Sequence, residues 1–237
     1  MSEFLKVIEV EHYTDTLFRI RTERPNTYRF TAGEFTMIGM TDSDVMRAYS
    51  ITSGPYDEYL EFYSIKVPDG PLTSRLQHIQ VGDELEVGDR PTGTLTLANL
   101  ELGGNLWMLA TGTGIAPFIS LLRDPTTYDA FDRIHVVWSV RHQAELLAYN
   151  EFLQECDIDY TPIVTRDPEW TGLNKRMTNL IKDGILLTNG APDTDKVMIC
   201  GSMPFNNDVK DMLISTGWQE GNRRIAGNFV QEKAFVL

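Results

Sequence analysis

Cysteine is scarce in this chain, with two in 237 residues, Cys156 and Cys200, far apart. No CxxC pair and no cysteine ladder exist, which excludes zinc ribbons and iron–sulfur clusters. A reduced pair is expected rather than a disulfide. The four histidines, His12, His78, His135 and His142, show no metal spacing, and no G-x-S-x-G elbow occurs. Positive charge is also short: 21 Lys+Arg stand against 34 Asp+Glu, a formal net charge of -13. The acidity is spread through both halves, so it serves solubility, and nucleic acid and anionic membranes are poor partners. Met1-Ser2-Glu3-Phe4-Leu5-Lys6 lacks the basic-then-apolar order of a signal peptide, so a cytoplasmic protein is expected. Leu102 to Leu122 is uncharged, but Gly103, Gly104, Gly112, Gly114 and Pro117 break it. A strand, a glycine turn and a buried helix explain it better than a membrane span.

What is present is a change of pattern near residue 99. Before it, short strands are expected at Phe4–Glu11, Leu17–Arg21, Glu34–Met40, Arg47–Ile51, Tyr59–Val67, Glu84–Val87 and Thr94–Leu97. Gly, Pro, Asp and Asn clusters separate them, the spacing of a closed barrel. A short helix is expected after Gly70-Pro71-Leu72, with Thr73 as its cap and Leu76 and Ile79 as its apolar face. After residue 99, strands at Leu106–Ala110, Ile134–Ser139, Asp159–Val164 and Val197–Cys200 alternate with helices at Ile115–Leu122, Ala144–Glu155, Met177–Lys182 and Pro204–Ile214. That alternation predicts a doubly wound parallel sheet. The expected domains are therefore a β-barrel over 1–98 and an α/β domain over 99–237.

Two motifs carry chemistry. Arg47-Ala48-Tyr49-Ser50 puts a guanidinium, an aromatic face and a hydroxyl on one short strand, with Arg47 and Tyr49 on one face and Ala48 and Ser50 on the other. This set suits a flavin: Arg for the diphosphate, Tyr for the ring, Ser for a polar edge. The run Tyr63-Ser64-Ile65-Lys66-Val67 then leads through Pro-Asp-Gly into a helix start at Gly70-Pro71-Leu72-Thr73. Its backbone N–H groups and the Thr73 hydroxyl make a second cradle for a diphosphate. Further on, Gly112-Thr113-Gly114 followed by Pro117 is a tight strand-to-helix turn. It is neither G-x-G-x-x-G nor a P-loop. Two dinucleotide sites in one chain imply electrons passing between nucleotides.

These motifs, with Cys200-Gly201-Ser202 and Glu232-Lys233-Ala234-Phe235-Val236, occur in an order that resembles the bacterial ferredoxin–NADP⁺ reductases. The resemblance covers essentially the whole chain. It implies an FAD-binding antiparallel Greek-key barrel plus an NADP-binding α/β domain, with a ferredoxin or flavodoxin as electron partner. It also implies that Thr113 approaches the flavin and that Cys200 lies beside the nicotinamide without a nucleophilic role. Ala234 is placed near the flavin ring and Phe235 stacked on the FAD, so the C-terminal tail returns to the flavin. Arg141, Arg166 and Arg176 match the positions that clamp the NADP 2′-phosphate, with Lys175 where relatives usually carry glycine. Asp208 matches a further position near the nucleotide. Ser50 is the expected hydrogen-bonding group near flavin N5. Three arginines at strand and helix ends favour NADPH over NADH. A monomer is expected. Arg19, Arg21, Arg24 and Arg29 are candidates for a local basic docking patch. Two other readings stay open: a reductase serving a separate oxygenase, and a non-catalytic FAD-binding redox-regulatory module.

Overall fold

Residues 2–233 are described by the computed structural model, and they divide into two units, 2–93 with 116–124 and 94–115 with 125–233. The first unit is built on six strands: β1 (Ser2–His12), β2 (Leu17–Glu23), β3 (Phe35–Met40), β4 (Met46–Ser50), β5 (Tyr59–Ile65) and β6 (Glu84–Gly88). They form one antiparallel sheet in the order β4-β3-β6-β1-β2-β5. Strand alternation builds its core. Phe18 and Ile20 of β2, Ile38 of β3, Leu60 and Phe62 of β5, and Leu85 and Val87 of β6 all point into one buried cluster. The short helix α1 (Thr73–Leu76) adds Leu76, and its flanks add Leu72 and Ile79.

β5 is buried on both faces. Between Leu60 and Phe62, Glu61 is fully buried and accepts from Arg21 Nε at 2.7 Å and from Arg123 Nη1 at 3.1 Å. Arg123 follows helix α2 (Ala116–Leu122), which is wholly buried and belongs to this unit. The helix is fastened further by Ser120 Oγ donating to the Ser53 carbonyl at 2.7 Å and by Arg123 donating to the Thr52 carbonyl at 3.1 Å.

The second unit is a five-stranded sheet of β7 (Asn105–Thr111), β8 (Arg133–Val140), β9 (Asp159–Val164), β10 (Asp195–Gly201) and β11 (Phe229–Lys233). Every neighbouring pair is parallel, in the order β11-β10-β7-β8-β9. Helices α3 (Pro125–Asp129), α4 (Asn150–Glu155), α5 (Met177–Lys182) and α6 (Met203–Ser215) alternate with the strands. A sheet covered on both faces needs strands that are apolar throughout. β10 is buried along its whole length, and Val197 and Ile199 join Leu109, Val137, Ile163, Val209 and Leu213 in the core. β8 and β9 lie on one side of β7, and β10 and β11 on the other. The switch point of the sheet is therefore between β7 and β10, where open α/β sheets take ligands at their strand C-termini.

Two expected elements are corrected, and one strand is added. Thr94–Leu97 is not a strand: Pro91 and Gly93 interrupt the ladder, only an isolated bridge joins Thr92 to Phe35, and a 3-10 turn follows at Leu97–Asn99. The helix expected over Ala144–Glu155 is two pieces, a 3-10 segment Gln143–Ala148 and α4, parted at the buried Tyr149, whose φ is -139°. β11 is a strand that the alternation pattern does not reveal. Among the described residues, no helix is long and apolar enough to cross a membrane.

Candidate nucleotide-binding sites

In the first unit, β3 and β4 pair with Ile38 opposite Arg47, Met37 opposite Ala48, Thr36 opposite Tyr49 and Phe35 opposite Ser50. Opposed residues share a face. Arg47 and Tyr49 therefore lie on the side of the buried Ile38 and Thr36, as the alternation predicts. Tyr49 packs against the barrel core, and its hydroxyl lies 3.0 Å from Ser64 Oγ on β5. Arg47 is exposed and, among the described residues, has no carboxylate partner; its one hydrogen bond goes to the Met46 carbonyl. Ser50 is half-buried at the C-terminal end of β4. Tyr63 and Ser64 are buried, Ile65 and Lys66 half-buried and Val67 exposed, so this segment runs from core to surface.

The Val67–Thr73 turn is tight. A Cβ on Gly70 would sit 2.2 Å from Thr73 Oγ1. That hydroxyl is engaged with Val67, donating to its carbonyl at 3.1 Å and lying 3.3 Å from its N–H. Thr73 is thus the first residue of α1 and not its cap; Leu72 holds the cap position, without a side-chain hydrogen bond. The hydroxyl shapes the loop by bonding to Val67. With four residues, α1 has little macrodipole to offer, so the anion-binding capacity here is that of the loop backbone.

In the second unit, the switch point is shaped by glycine. β7 ends at Thr111, and Gly112 follows with φ +54°, a left-handed conformation that disfavours a side chain. Nothing stands within 4 Å of where its Cβ would be, so the turn presents open backbone. The Gly112 carbonyl accepts from Trp138 Nε1 at 2.8 Å, which holds the turn over β8. Thr113 and Gly114 are buried, and a Cβ on Gly114 would lie 2.2 Å from the Cys200 carbonyl oxygen. Gly201 is equally constrained, its would-be Cβ being 2.1 Å from Thr111 Oγ1. Ser202 N–H donates to the same Thr111 oxygen at 3.2 Å. Gly112–Gly114 and Cys200–Ser202 are therefore brought together at the ends of adjacent strands. Cys200 is fully buried and its thiol is pushed well up by burial and by Glu232, so it is not a thiolate. Asp208 is exposed on α6, and Asn206, one turn in from its start, donates to the Glu232 carbonyl of β11 at 2.8 Å.

The arginines stand at the other side of β7. Arg141 follows β8 and Arg166 follows β9, and Arg166 N–H donates to the Arg141 carbonyl at 2.9 Å, so the two neighbour one another. Arg176 precedes α5 at its N-cap. All three are exposed, and none has an ion-pair partner among the described residues. Lys175 is spent on Asp183 at 3.0 Å, so its extra charge is neutralised. An exposed guanidinium without an ion-pair partner is a donor that suits an anionic group, and the backbone bond brings the Arg141 and Arg166 positions side by side.

The matching family model is that of the oxidoreductase NAD-binding domain, over residues 108–211. The chain is 45% identical to a flavodoxin/ferredoxin–NADP reductase of Rhodobacter capsulatus, covering 97% of this chain and 92% of that one. It is 41% identical to a ferredoxin–NADP reductase of Pseudomonas aeruginosa, covering 98% and 96%. The chain belongs to the ferredoxin/flavodoxin–NADP reductase family. A solved ferredoxin–NADP⁺ reductase of Neisseria gonorrhoeae, with bound FAD and NADP, superposes with a TM-score of 0.91 at 32% identity over 99% of both chains. The fold is accordingly the barrel-plus-α/β pair of this reductase family.

For the reductase, some expected residues do not serve as expected. Arg19 and Arg21 share a face of β2, but Arg19 pairs with Glu9 and with Glu11 (2.6 Å), and Arg21 with Glu9 (2.8 Å) and Glu61. Arg24 donates to the Tyr28, Gly54, Pro55 and Asp57 carbonyls. The basic docking patch is thus neutralised or occupied at three of its four positions; of the four, Arg29 alone is exposed, and among the described residues it donates only to the Tyr28 carbonyl. Ala234 and Phe235 lie outside the described residues. Sequence reasoning placed Thr111 at the start of the glycine motif but missed its bond to Ser202, and it missed Trp138, which holds the turn, and the Asp167–His142 pair beside the arginines. A tryptophan or an aspartate has no signature until its partner is in place.

Proposed function

We propose that the chain is an FAD-dependent ferredoxin/flavodoxin–NADP⁺ oxidoreductase that moves a hydride reversibly between NADPH and FAD and exchanges single electrons with a ferredoxin or flavodoxin. The carrying observation is the β7/β10 switch point, where Gly114 and Gly201 leave no room for side chains, Gly112 turns in a left-handed conformation with open backbone, and three exposed arginines without an ion-pair partner among the described residues follow β8 and β9 and precede α5. The residues present fit both cofactors: a tight turn at 67–73 in which Gly70 has no room for a Cβ, and an exposed Arg47 without a carboxylate partner among the described residues on the barrel, and open backbone at Gly112 with exposed guanidiniums on the α/β sheet.

When bound, the flavin supplies the exchange between two-electron and one-electron chemistry. This chain's residues supply binding and orientation. Arg47 takes the FAD diphosphate together with the backbone of 70–73, Tyr49 packs beside the ring, and Tyr63–Val67 line the bound nucleotide. Ser50 offers its hydroxyl to the flavin edge as the hydrogen-bonding residue. Gly112–Gly114 and Gly201–Ser202 hold the NADP diphosphate and nicotinamide side. Arg141, Arg166 and Arg176 take the 2′-phosphate, with Asp208 near the nucleotide. Cys200, buried and protonated, shapes the nicotinamide pocket. In this assignment 1–98 is the FAD-binding domain and 99–237 the NADP-binding domain. The protein works as a monomer in the cytoplasm, a compartment in keeping with two cysteines outside any disulfide and high acidity, and it takes neither nucleic acid nor membrane as partner.

The test is an anaerobic visible spectrum of the FAD-loaded protein titrated with NADPH and then NADH. Bleaching of the flavin band at far lower NADPH than NADH is expected. No flavin uptake, or equal response to both nucleotides, refutes the assignment.

A further inference from the structure

The two arginines that end β8 and β9 sit on loops that an acidic residue ties together. Asp167 follows Arg166 directly. Its Oδ1 lies 2.7 Å from His142 Nδ1, and its Oδ2 accepts from the Gln143 N–H at 2.5 Å. Both carboxylate oxygens of Asp167 are therefore spent on the residues that follow Arg141. The Asp167 carbonyl accepts from the Trp170 N–H at 3.1 Å, which fixes the carboxylate's own loop. On the other side, the His142 N–H donates to Glu145 Oε1 at 2.8 Å, which closes the turn after Arg141. Backbone bonds from Thr165 N–H to the Val140 carbonyl (3.1 Å) and from Arg166 N–H to the Arg141 carbonyl (2.9 Å) complete the seam.

We propose that Asp167, with His142 as its partner, is a positioning residue for NADPH selectivity, fixing the Arg141 and Arg166 loops in the register that lets both guanidiniums meet one 2′-phosphate. The physical need is plain. Two exposed arginines carry large rotamer and loop entropy, and they repel one another when their charges converge. A carboxylate bridging the two loops removes loop freedom before the nucleotide arrives, and pre-organisation of this kind appears as affinity. Asp167 touches no nucleotide in this scheme. Among the described residues Asp167 makes no ion pair with either arginine; its oxygens hydrogen-bond His142 and Gln143. The carboxyl is held below the usual carboxylate range by those two bonds, the backbone one foremost.

The inference rests on the reading of Arg141 and Arg166 as the 2′-phosphate clamp, and the experiment separates the two. Steady-state diaphorase kinetics are measured with NADPH and with NADH for Asp167→Ala, His142→Ala, the double variant Arg141→Ala/Arg166→Ala, and the triple combination with Asp167→Ala. For Asp167→Ala, KM for NADPH rises about tenfold with kcat unchanged, as expected for loss of charge-assisted hydrogen bonds that orient a binding group. KM for NADH stays within about twofold, since no 2′-phosphate is present to feel the loops. His142→Ala moves NADPH in the same direction by less. Added to the double arginine variant, Asp167→Ala has no further effect, because residues acting through one another are not additive. An unchanged NADPH KM in Asp167→Ala, beside a raised one in the arginine variant, overturns the inference and leaves the clamp. Equal rises for NADPH and NADH also overturn it, since that marks a merely structural role. An unchanged NADPH KM in the arginine variant overturns the clamp and the inference together. Asp167→Asn, which keeps one acceptor oxygen, gives an intermediate NADPH KM and serves as the readout if the alanine variant does not fold.

Discussion

The Tyr49 hydroxyl lies 3.0 Å from Ser64 Oγ, joining the two strands that stand at opposite ends of the six-stranded sheet. This one side-chain bond spans the seam where β4 and β5 have no backbone ladder between them. Burial pushes the Tyr49 phenol up, only partly offset by Ser64, so the group stays protonated across the working pH range. Tyr49→Phe removes the seam bond and keeps the ring. It is expected to cost about 1 kcal/mol of stability and to loosen FAD without abolishing its binding. Chemical denaturation followed by flavin release measures both; unchanged stability and FAD affinity would show that the seam is held otherwise.

Glu61 is the most committed charge in the barrel. It is fully buried, with Arg21 on one oxygen and Arg123 on the other. Glu61→Gln leaves these guanidiniums short of an anion and is expected to destabilise by about 3 kcal/mol, as breaking a buried ion pair does. A thermal melt that barely moves would show that Arg21 and Arg123 find water or Asp57 instead.

The two glycines at the switch point differ in what surrounds them. A Cβ on Gly114 meets the Cys200 backbone, which cannot turn aside, whereas one on Gly201 meets the Thr111 hydroxyl. Both alanine variants are expected to lose about 1–3 kcal/mol and to raise KM for NADPH, with Gly114→Ala the worse. Melting curves and NADPH titrations rank them; the reverse order would mean that the turn after β7 yields more easily than β10.

Ser50, half-buried at the end of β4, is the residue proposed to hydrogen-bond the flavin edge. Ser50→Ala is expected to retain FAD and slow flavin reduction by NADPH by about tenfold or more, the effect of removing one oriented donor. Stopped-flow bleaching of the flavin band decides it, and a wild-type rate refutes the role.

Acid should weaken the β8–β9 edge through His135. Its ring stacks on Trp107 at 3.9 Å, and Nδ1 lies 3.2 Å from Asp159. Burial lowers its pKa from 6.5, outweighing the raising effect of Asp159, so the folded state favours neutral histidine. The unfolded chain then binds more protons below about pH 6.5, and stability falls as pH drops through that value. Asp159, lowered chiefly by its hydrogen bond with Arg133, adds a loss in the same direction at lower pH. His135→Phe keeps the stack and should flatten the decline between pH 7 and 5 in a stability–pH series.

What the sequence by itself determined was the kind and order of elements and the chemistry of the motifs. Strand alternation set Arg47 and Tyr49 on one face, because a strand has period two wherever it lies. A continuous apolar run marked β7, and the alternation of strands with helices marked the other parallel strands. Gly112 and Gly114 were legible as a turn and Gly201 as a strand end, but not that Gly114 and Gly201 are barred from a side chain by the other strand's backbone or hydroxyl. Only the tertiary structure decided which charges are free. Arg19, Arg21, Lys175, Arg141, Arg166 and Arg176 look alike in one dimension, yet the first three are neutralised and the last three are not. A charge's function depends on what lies within a few ångströms of it, and residues as distant in sequence as His142 and Asp167, or Tyr49 and Ser64, become neighbours only when the sheet is formed.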